Sequence, residues 1–182
     1  MRKDVFGYDC PMNNLETHFQ LDPSVTFLNH GSFGATPKPV MSDYQRWQNE
    51  MEKQPVEFLG RRIPSLLAES RKRLGNYLGT HADNLVYTQN VTVSLNIIAR
   101  SLELGVGDEA LTTNHEYGAV DRTWRFLAKE RGFNYINQPT SVPIVSEEKF
   151  LEEFFAGVTP NTRVICVSHI TSPTAILLPV SK

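Results

Sequence analysis

From residue 80 onward the chain repeats one pattern: a short apolar or β-branched run, a polar turn, then a longer amphipathic stretch. "NLVYT" (84–88) is expected to be a strand and "VTVSLNIIARSLEL" (91–104) a helix. After the turn "GVGDE", "ALTTN" (110–114) reads as a strand and Tyr117 to Arg131 as a helix. "FNYINQ" (133–138) makes a further strand. "SEEKFLEEFFAGV" (146–158) makes a helix capped by Ser146, and "RVICVSHI" (163–170) a buried strand. Parallel strands need long crossovers, and the crossover helices settle on the faces of the sheet. Residues 80–182 are therefore expected to form an α/β sheet with helices on its faces.

Residues 1–79 have a different style. Residues 1–24 are polar, punctuated by prolines and without sustained periodicity, as in an arm lying on another surface. Pro39 opens a helical pattern with Val40, Met41, Tyr44, Trp47, Gln48 and Met51 on one face. "KQPVEFLGRRIP" interrupts it, and Pro64 suits the first turn of a second helix. Leu66, Leu67, Leu74, Tyr77 and Leu78 form its stripe, which ends near Gly79.

Composition removes several function classes. A 40% hydrophobic, 10% aromatic chain can build a core and is unlike a disordered one. A net charge of −2, with no basic run longer than "RKR" at Arg71 to Arg73, lacks a nucleic-acid footprint. No apolar run approaches the roughly 18 residues of a membrane span, and the N-terminus has no apolar signal core. Cys10 and Cys166 have neither metal-ligand nor redox-motif spacing, which points to a reduced, cytoplasmic setting.

In open α/β sheets, ligands bind beyond the carboxyl ends of the strands. "YTQNVTVSLN" places Asn90, Val91 and Thr92 at a strand-to-helix junction, where amides and a hydroxyl suit a phosphate. An ordinary N-cap explains the same residues. "TTNHEYGAVDRTW" brings His115, Glu116 and Tyr117 to a strand end, where a ring could stack on a planar ligand or simply pack. No H-E-x-x-H spacing supports a zinc site there. "VSHITSPTAILLPV" supplies Ser168, His169, Thr171, Ser172 and Thr174, hydroxyls for a ligand oxygen or for a turn around Pro173. "FLNHGSFGATP" has too few glycines, wrongly spaced, for a nucleotide loop. Gly31 and Gly34 are expected to turn the backbone tightly beside a pocket.

Taken in order, "FLNHGSFGATP", "NVTVSLN", "GDEALTTNHEYGAVDRTWRFLA" and "VSHITSPTAILLPV" resemble the class V, cysteine-desulfurase-like group of fold-type I pyridoxal-phosphate enzymes. The likeness is to the isopenicillin N epimerase branch, and it runs from about Val25 to the C-terminus. It implies a fold-type I architecture, a mixed and mostly parallel sheet flanked by helices, in which 1–79 are the N-terminal arm and helices. Residues 80–182 would then be the first, incomplete part of the large cofactor-binding domain. The implied cofactor is pyridoxal 5′-phosphate, held through a lysine Schiff base and acting as an electron sink for a Cα carbanion.

The resemblance also implies roles. Val91 and Thr92 would bind the phosphate, and Tyr117, with His115 as second choice, would stack on the ring. Ser172, with Thr171 as second choice, would approach the ring O3′. Asn29, His30, Gly31 and Ser32 would line the substrate side. The family's pyridinium-binding Asp, its Schiff-base lysine and its carboxylate-binding Arg have no counterpart in this sequence. None of Lys3, Lys38, Lys53, Lys72, Lys129, Lys149 and Lys182 has the family's lysine context. The chain is thus expected to be the N-terminal portion of something longer and inactive alone. The intact protein would be a homodimer acting on a small amino-acid or peptide substrate by epimerisation, transamination or lyase chemistry. The alternatives are a truncated, non-catalytic binding or interaction protein on the same fold, or one half of a split enzyme.

Overall fold

The structure, a computed structural model, describes residues 15–181. The chain divides between Val86 and Tyr87 into two compact units.

In the first unit the order is a 3-10 turn (Leu15–His18), α1 (His30–Phe33), α2 (Lys38–Lys53), α3 (Pro55–Glu57), a π turn (Phe58–Arg62), α4 (Ile63–Leu78) and a second 3-10 turn (Ala82–Asn84). Pro39 sits in the first turn of α2, where a missing N–H costs no hydrogen bond. Gln54 precedes a proline and is driven out of helical geometry to φ −156°, ψ 77°, which separates α2 from α3. Phe58 is buried, with Trp47 at 6.0 Å between ring centroids and the Arg62 guanidinium 5.2 Å from its own ring. Glu50 and Arg62 pair at 2.9 Å.

The two expected stripes form helices but bury little. Val40, Tyr44, Tyr77 and Leu78 are exposed, Tyr77 by 86%. Periodicity specifies which face is apolar; burial requires a partner surface as well, and this unit supplies only a small one around Phe58. Of the expected N-terminal arm, residues 1–14 (with Lys3 and Cys10) lie outside the described residues, as does Lys182.

The second unit runs α5 (Val91–Ser101), β1 (Glu109–Thr113), α6 (Gly118–Arg131), β2 (Asn134–Gln138), α7 (Glu147–Phe155) and β3 (Thr162–Ile165). The sheet order is β2-β1-β3 and both pairings are parallel. Every residue of β1 is buried, as a central parallel strand covered on both faces requires. Ala110 meets one core with Ala99, Leu104, Trp124, Leu127 and Phe133. Leu111, pointing the other way, meets Phe150, Phe154 and Leu178. Helices α5 and α6 thus cover one face and α7 the other. Each of these large side chains contributes about 1.5–3 kcal/mol by burial.

Three details differ from the sequence expectations. "NLVYT" is not a strand: it begins in the Ala82–Asn84 turn and continues extended without a ladder. An extended segment counts as a strand only when a neighbour accepts its hydrogen bonds. "RVICVSHI" yields only the short edge strand β3, whose residues alternate between half-buried and exposed because successive side chains point to opposite faces, Val164 toward the core that holds Ala110. Helix α5 stops at Ser101 rather than residue 104. Its last carbonyls, those of Arg100 and Leu102, accept from the Arg131 guanidinium at 2.9 and 2.7 Å.

Candidate functional site

Asn90 is fully extended and its side chain accepts from the Val93 N–H at 3.0 Å, which starts α5. That cap leaves the first two helical amides, Val91 and Thr92, without an intrahelical acceptor. Both residues are exposed. Among the described residues the Thr92 hydroxyl has no hydrogen-bond partner, while Ser94 is tied to Thr88 and Asn90. Two amides, one hydroxyl and the positive end of an 11-residue helix make a donor set suited to a phosphate.

The segment after β1 divides its labour. Asn114 Oδ1 accepts from the Thr140 N–H at 3.0 Å and from its hydroxyl at 3.1 Å. His115 Nε2 lies 3.2 Å from the Thr140 carbonyl, and the His115 N–H donates to Thr113 Oγ1. Glu116 is buried and accepts from the Ser168 N–H at 2.9 Å and the Ser168 hydroxyl at 2.7 Å. The loops that follow the two outer strands are therefore both fastened to the end of the central one. Tyr117, the N-cap of α6, is left over: its side chain is half exposed and, among the described residues, has no ring or hydrogen-bond partner. The His115 ring is already committed; the Tyr117 ring is available.

Thr171 and Ser172 differ in the same way. Thr171 is buried, and its hydroxyl meets the Thr174 hydroxyl at 2.7 Å and accepts from the Ile176 N–H at 2.9 Å. Its backbone N–H donates to the Ile176 carbonyl, and an Ile170–Leu177 bridge closes the turn. Ala175 takes a positive φ of 52°, uncommon for a residue with a Cβ, at the tip. Thr171 therefore builds the turn, and Ser172 is exposed on it with its hydroxyl unbonded among the described residues.

In the first unit Asn29 precedes the single turn α1, which contains His30, Gly31 and Ser32. The His30 ring packs against Phe27 at 4.7 Å and Phe19 at 5.8 Å, and its Nδ1 accepts from the Ala35 N–H at 3.4 Å. The Asn29 carboxamide and Ser32 hydroxyl have no partner among the described residues. The expected tight glycine turn is corrected in part. Neither Gly31 nor Gly34 has a positive φ, and space is open around Gly31. A Cβ at Gly34 would come 3.0 Å from the His30 carbonyl, so there the requirement is close approach rather than dihedral freedom.

A polar cluster that sequence reasoning did not find joins α6 to β1 and β2. Tyr135 OH donates to Asp121 Oδ1 at 3.1 Å and meets Thr112 Oγ1 at 2.8 Å. Asn137 Nδ2 reaches Asp121 Oδ1 at 3.3 Å, and Arg125 Nε donates to Asp121 Oδ2 at 2.8 Å. The Arg125 hydrogen bond holds the Asp121 carboxyl below the usual carboxylate range. Burial pushes the Tyr135 phenol up. Burial likewise raises Cys166, keeping it a thiol at neutral pH and a poor nucleophile.

The sequence profile of the family Aminotransferase class-V matches residues 28–182. The chain belongs to that family. This class V chain is 34% identical over 173 residues to isopenicillin N epimerase of Amycolatopsis lactamdurans, an alignment covering 93% of the chain and 43% of the relative. The isopenicillin N epimerase of Streptomyces clavuligerus is 29% identical, with 89% of the chain and 41% of the relative covered. A probable cysteine desulfurase of Methanothermobacter thermautotrophicus is 26% identical. The fold is also that of a C-DES mutant with glycine covalently linked to its PLP cofactor. Its TM-score is 0.80 at 21% identity, over 90% of this chain and 43% of that one. The cysteine desulfurase CsdA of Escherichia coli follows at a TM-score of 0.75 and 18% identity, over 92% of this chain and 43% of that one. The class V chain described here thus spans about two fifths of the length of these relatives. Its α/β architecture is the expected one.

Proposed function

We propose that this chain supplies the N-terminal part of a pyridoxal-phosphate-dependent enzyme acting at Cα of an amino acid or a peptide with an amino-acid terminus. The observation that carries this reading is the start of α5, where the Asn90 cap takes the Val93 N–H and leaves the Val91 and Thr92 amides, beside a Thr92 hydroxyl with no partner among the described residues. Val91 and Thr92 would hold the phosphate. Tyr117 would lie on the ring, kept free because His115 is spent on Thr140. Ser172 would donate toward the ring oxygen, kept free because Thr171 is spent on its own turn. Asn29 and Ser32 would meet the substrate, with His30 held by its two phenylalanines. When bound, the cofactor supplies an electron sink for charge developing at Cα.

The reaction is epimerisation, transamination or elimination, and the relatives' names, isopenicillin N epimerase and cysteine desulfurase, are why the class is kept this wide. The intact enzyme would be a cytoplasmic homodimer. Among the described residues no helix is long and apolar enough to cross a membrane. Thr92→Val is expected to weaken pyridoxal 5′-phosphate binding to the chain about tenfold in a fluorescence titration, the scale of one hydrogen bond to a charged acceptor. Unchanged affinity would remove Thr92 from the phosphate site.

A further inference from the structure

The Glu116 carboxylate is used in neither the phosphate nor the ring contact, yet it is one of the few buried charged groups among the described residues. A buried carboxylate is costly unless its oxygens are satisfied. Here Oε1 accepts from the Ser168 N–H at 2.9 Å and the Thr113 hydroxyl at 3.3 Å, and Oε2 from the Ser168 hydroxyl at 2.7 Å. These donors lie 52 residues downstream and three residues upstream of it. The next residue is Tyr117. Four residues beyond Ser168 stands Ser172, in a turn whose other fixed points are the Leu178 N–H bonded to the His169 carbonyl and the Thr171 bonds. No pairing with β1 reaches this segment, since β3 ends at Ile165. Its hydrogen-bonded attachment to the end of β1 therefore runs through the Cys166 N–H bonded to the Leu111 carbonyl and through Glu116, beside the packing of Ile176 and Leu178 with Leu111.

We propose that Glu116 is a positioning residue: it fixes the 168–176 segment to the turn that carries Tyr117, so that Ser172 and Tyr117 keep one spacing. This rests on the cofactor reading for its purpose, but the tether itself does not. Side-chain length and an acceptor oxygen facing the Ser168 N–H are what the tether uses. A glutamine keeps the length: its carbonyl accepts from the Ser168 N–H while its amide donates to the Ser168 hydroxyl. An aspartate is one methylene short.

Hydrogen exchange of the full chain tests the tether without any cofactor. In Glu116→Ala and Glu116→Asp, exchange at Ser168 and across Thr171 to Ile176 should rise about tenfold or more, the scale of a lost hydrogen bond to a charged group, with β1 and β2 unchanged. Glu116→Gln should retain most of the protection. Unchanged exchange over 168–176 in the Ala and Asp variants would overturn the proposal. If the alanine variant loses protection everywhere, the Gln and Asp variants decide: retained protection with Asp overturns it, and loss with Asp but not Gln upholds it. Titration then separates this idea from the cofactor reading. Glu116→Ala should weaken pyridoxal 5′-phosphate but leave inorganic phosphate affinity as it was. If the unsubstituted chain takes up neither ligand while the exchange pattern holds, the tether stands and the cofactor reading falls.

Discussion

At the scale of single residues, adjacency in sequence says little about which side chain is left for a ligand. Thr171 and Ser172 offer the same chemistry one position apart, as His115 and Tyr117 each offer a ring. Only the hydrogen bonds to Thr140, Thr174 and Ile176 separate the used groups from the free ones. Glu116 was noticed in the sequence only as a failed zinc ligand, because its partner lies far along the chain. The Asp121–Tyr135 pair gives a pH prediction at this scale. The folded-state pKa of Asp121 is depressed, so its contribution is present above about pH 4, the unfolded carboxylate value, and is lost as the pH falls below it. Tyr135 is raised, so its contribution is complete below about pH 10 and is lost as the pH climbs through the folded value. Thermal midpoints measured across pH should therefore fall at both extremes. Asp121→Asn should flatten the acid limb and Tyr135→Phe the alkaline limb; a variant that left its limb unchanged would dismiss that residue as its source.

At the scale of elements, what could be read was what is encoded locally. The starts of α5 and α7 were visible because Asn90 and Ser146 cap them through bonds spanning three residues. "NLVYT" carries a strand-like pattern but forms no strand, because strand formation depends on a neighbour that no local pattern names. Helix α5 ended early for a similar reason: the guanidinium on its last carbonyls comes from the far end of α6. The junction after α7 carries a further prediction. A Cβ on Gly157 would approach Gln138 Oε1 to 2.6 Å and Leu111 Cδ1 to 2.9 Å. Leu111 is fully buried, and Gln138 is held by the Glu153 carbonyl at 2.7 Å, so neither yields freely. Gly157→Ala should cost about 1–3 kcal/mol in denaturant unfolding, the usual penalty of overpacking. A neutral result would mean that α7 shifts away from the sheet.

At the scale of the whole molecule, the proposed cofactor contacts need a lysine for a Schiff base, and the resemblance implies that none of this chain's lysines stands in the family's reactive context. Among the described lysines, Lys38 donates to the Thr17 carbonyl and Lys53 is paired with Glu50. Lys149 is held above its ordinary value by Glu152, which keeps it protonated and a poor nucleophile. Incubation with pyridoxal 5′-phosphate followed by borohydride should therefore leave no stoichiometric adduct at one position when peptides are mapped by mass spectrometry. A single fully modified lysine would show that the chain forms its own covalent link. The sheet among the described residues is compact in sequence. Its three strands lie between Glu109 and Ile165, and each outer one pairs directly with β1. On a translating ribosome, every residue needed to close that sheet has been made once Ile165 leaves the exit tunnel. The core around Ala110 and Trp124, whose buried members run from Ala99 to Phe133, can thus form before Leu178 emerges to complete the other core around Leu111.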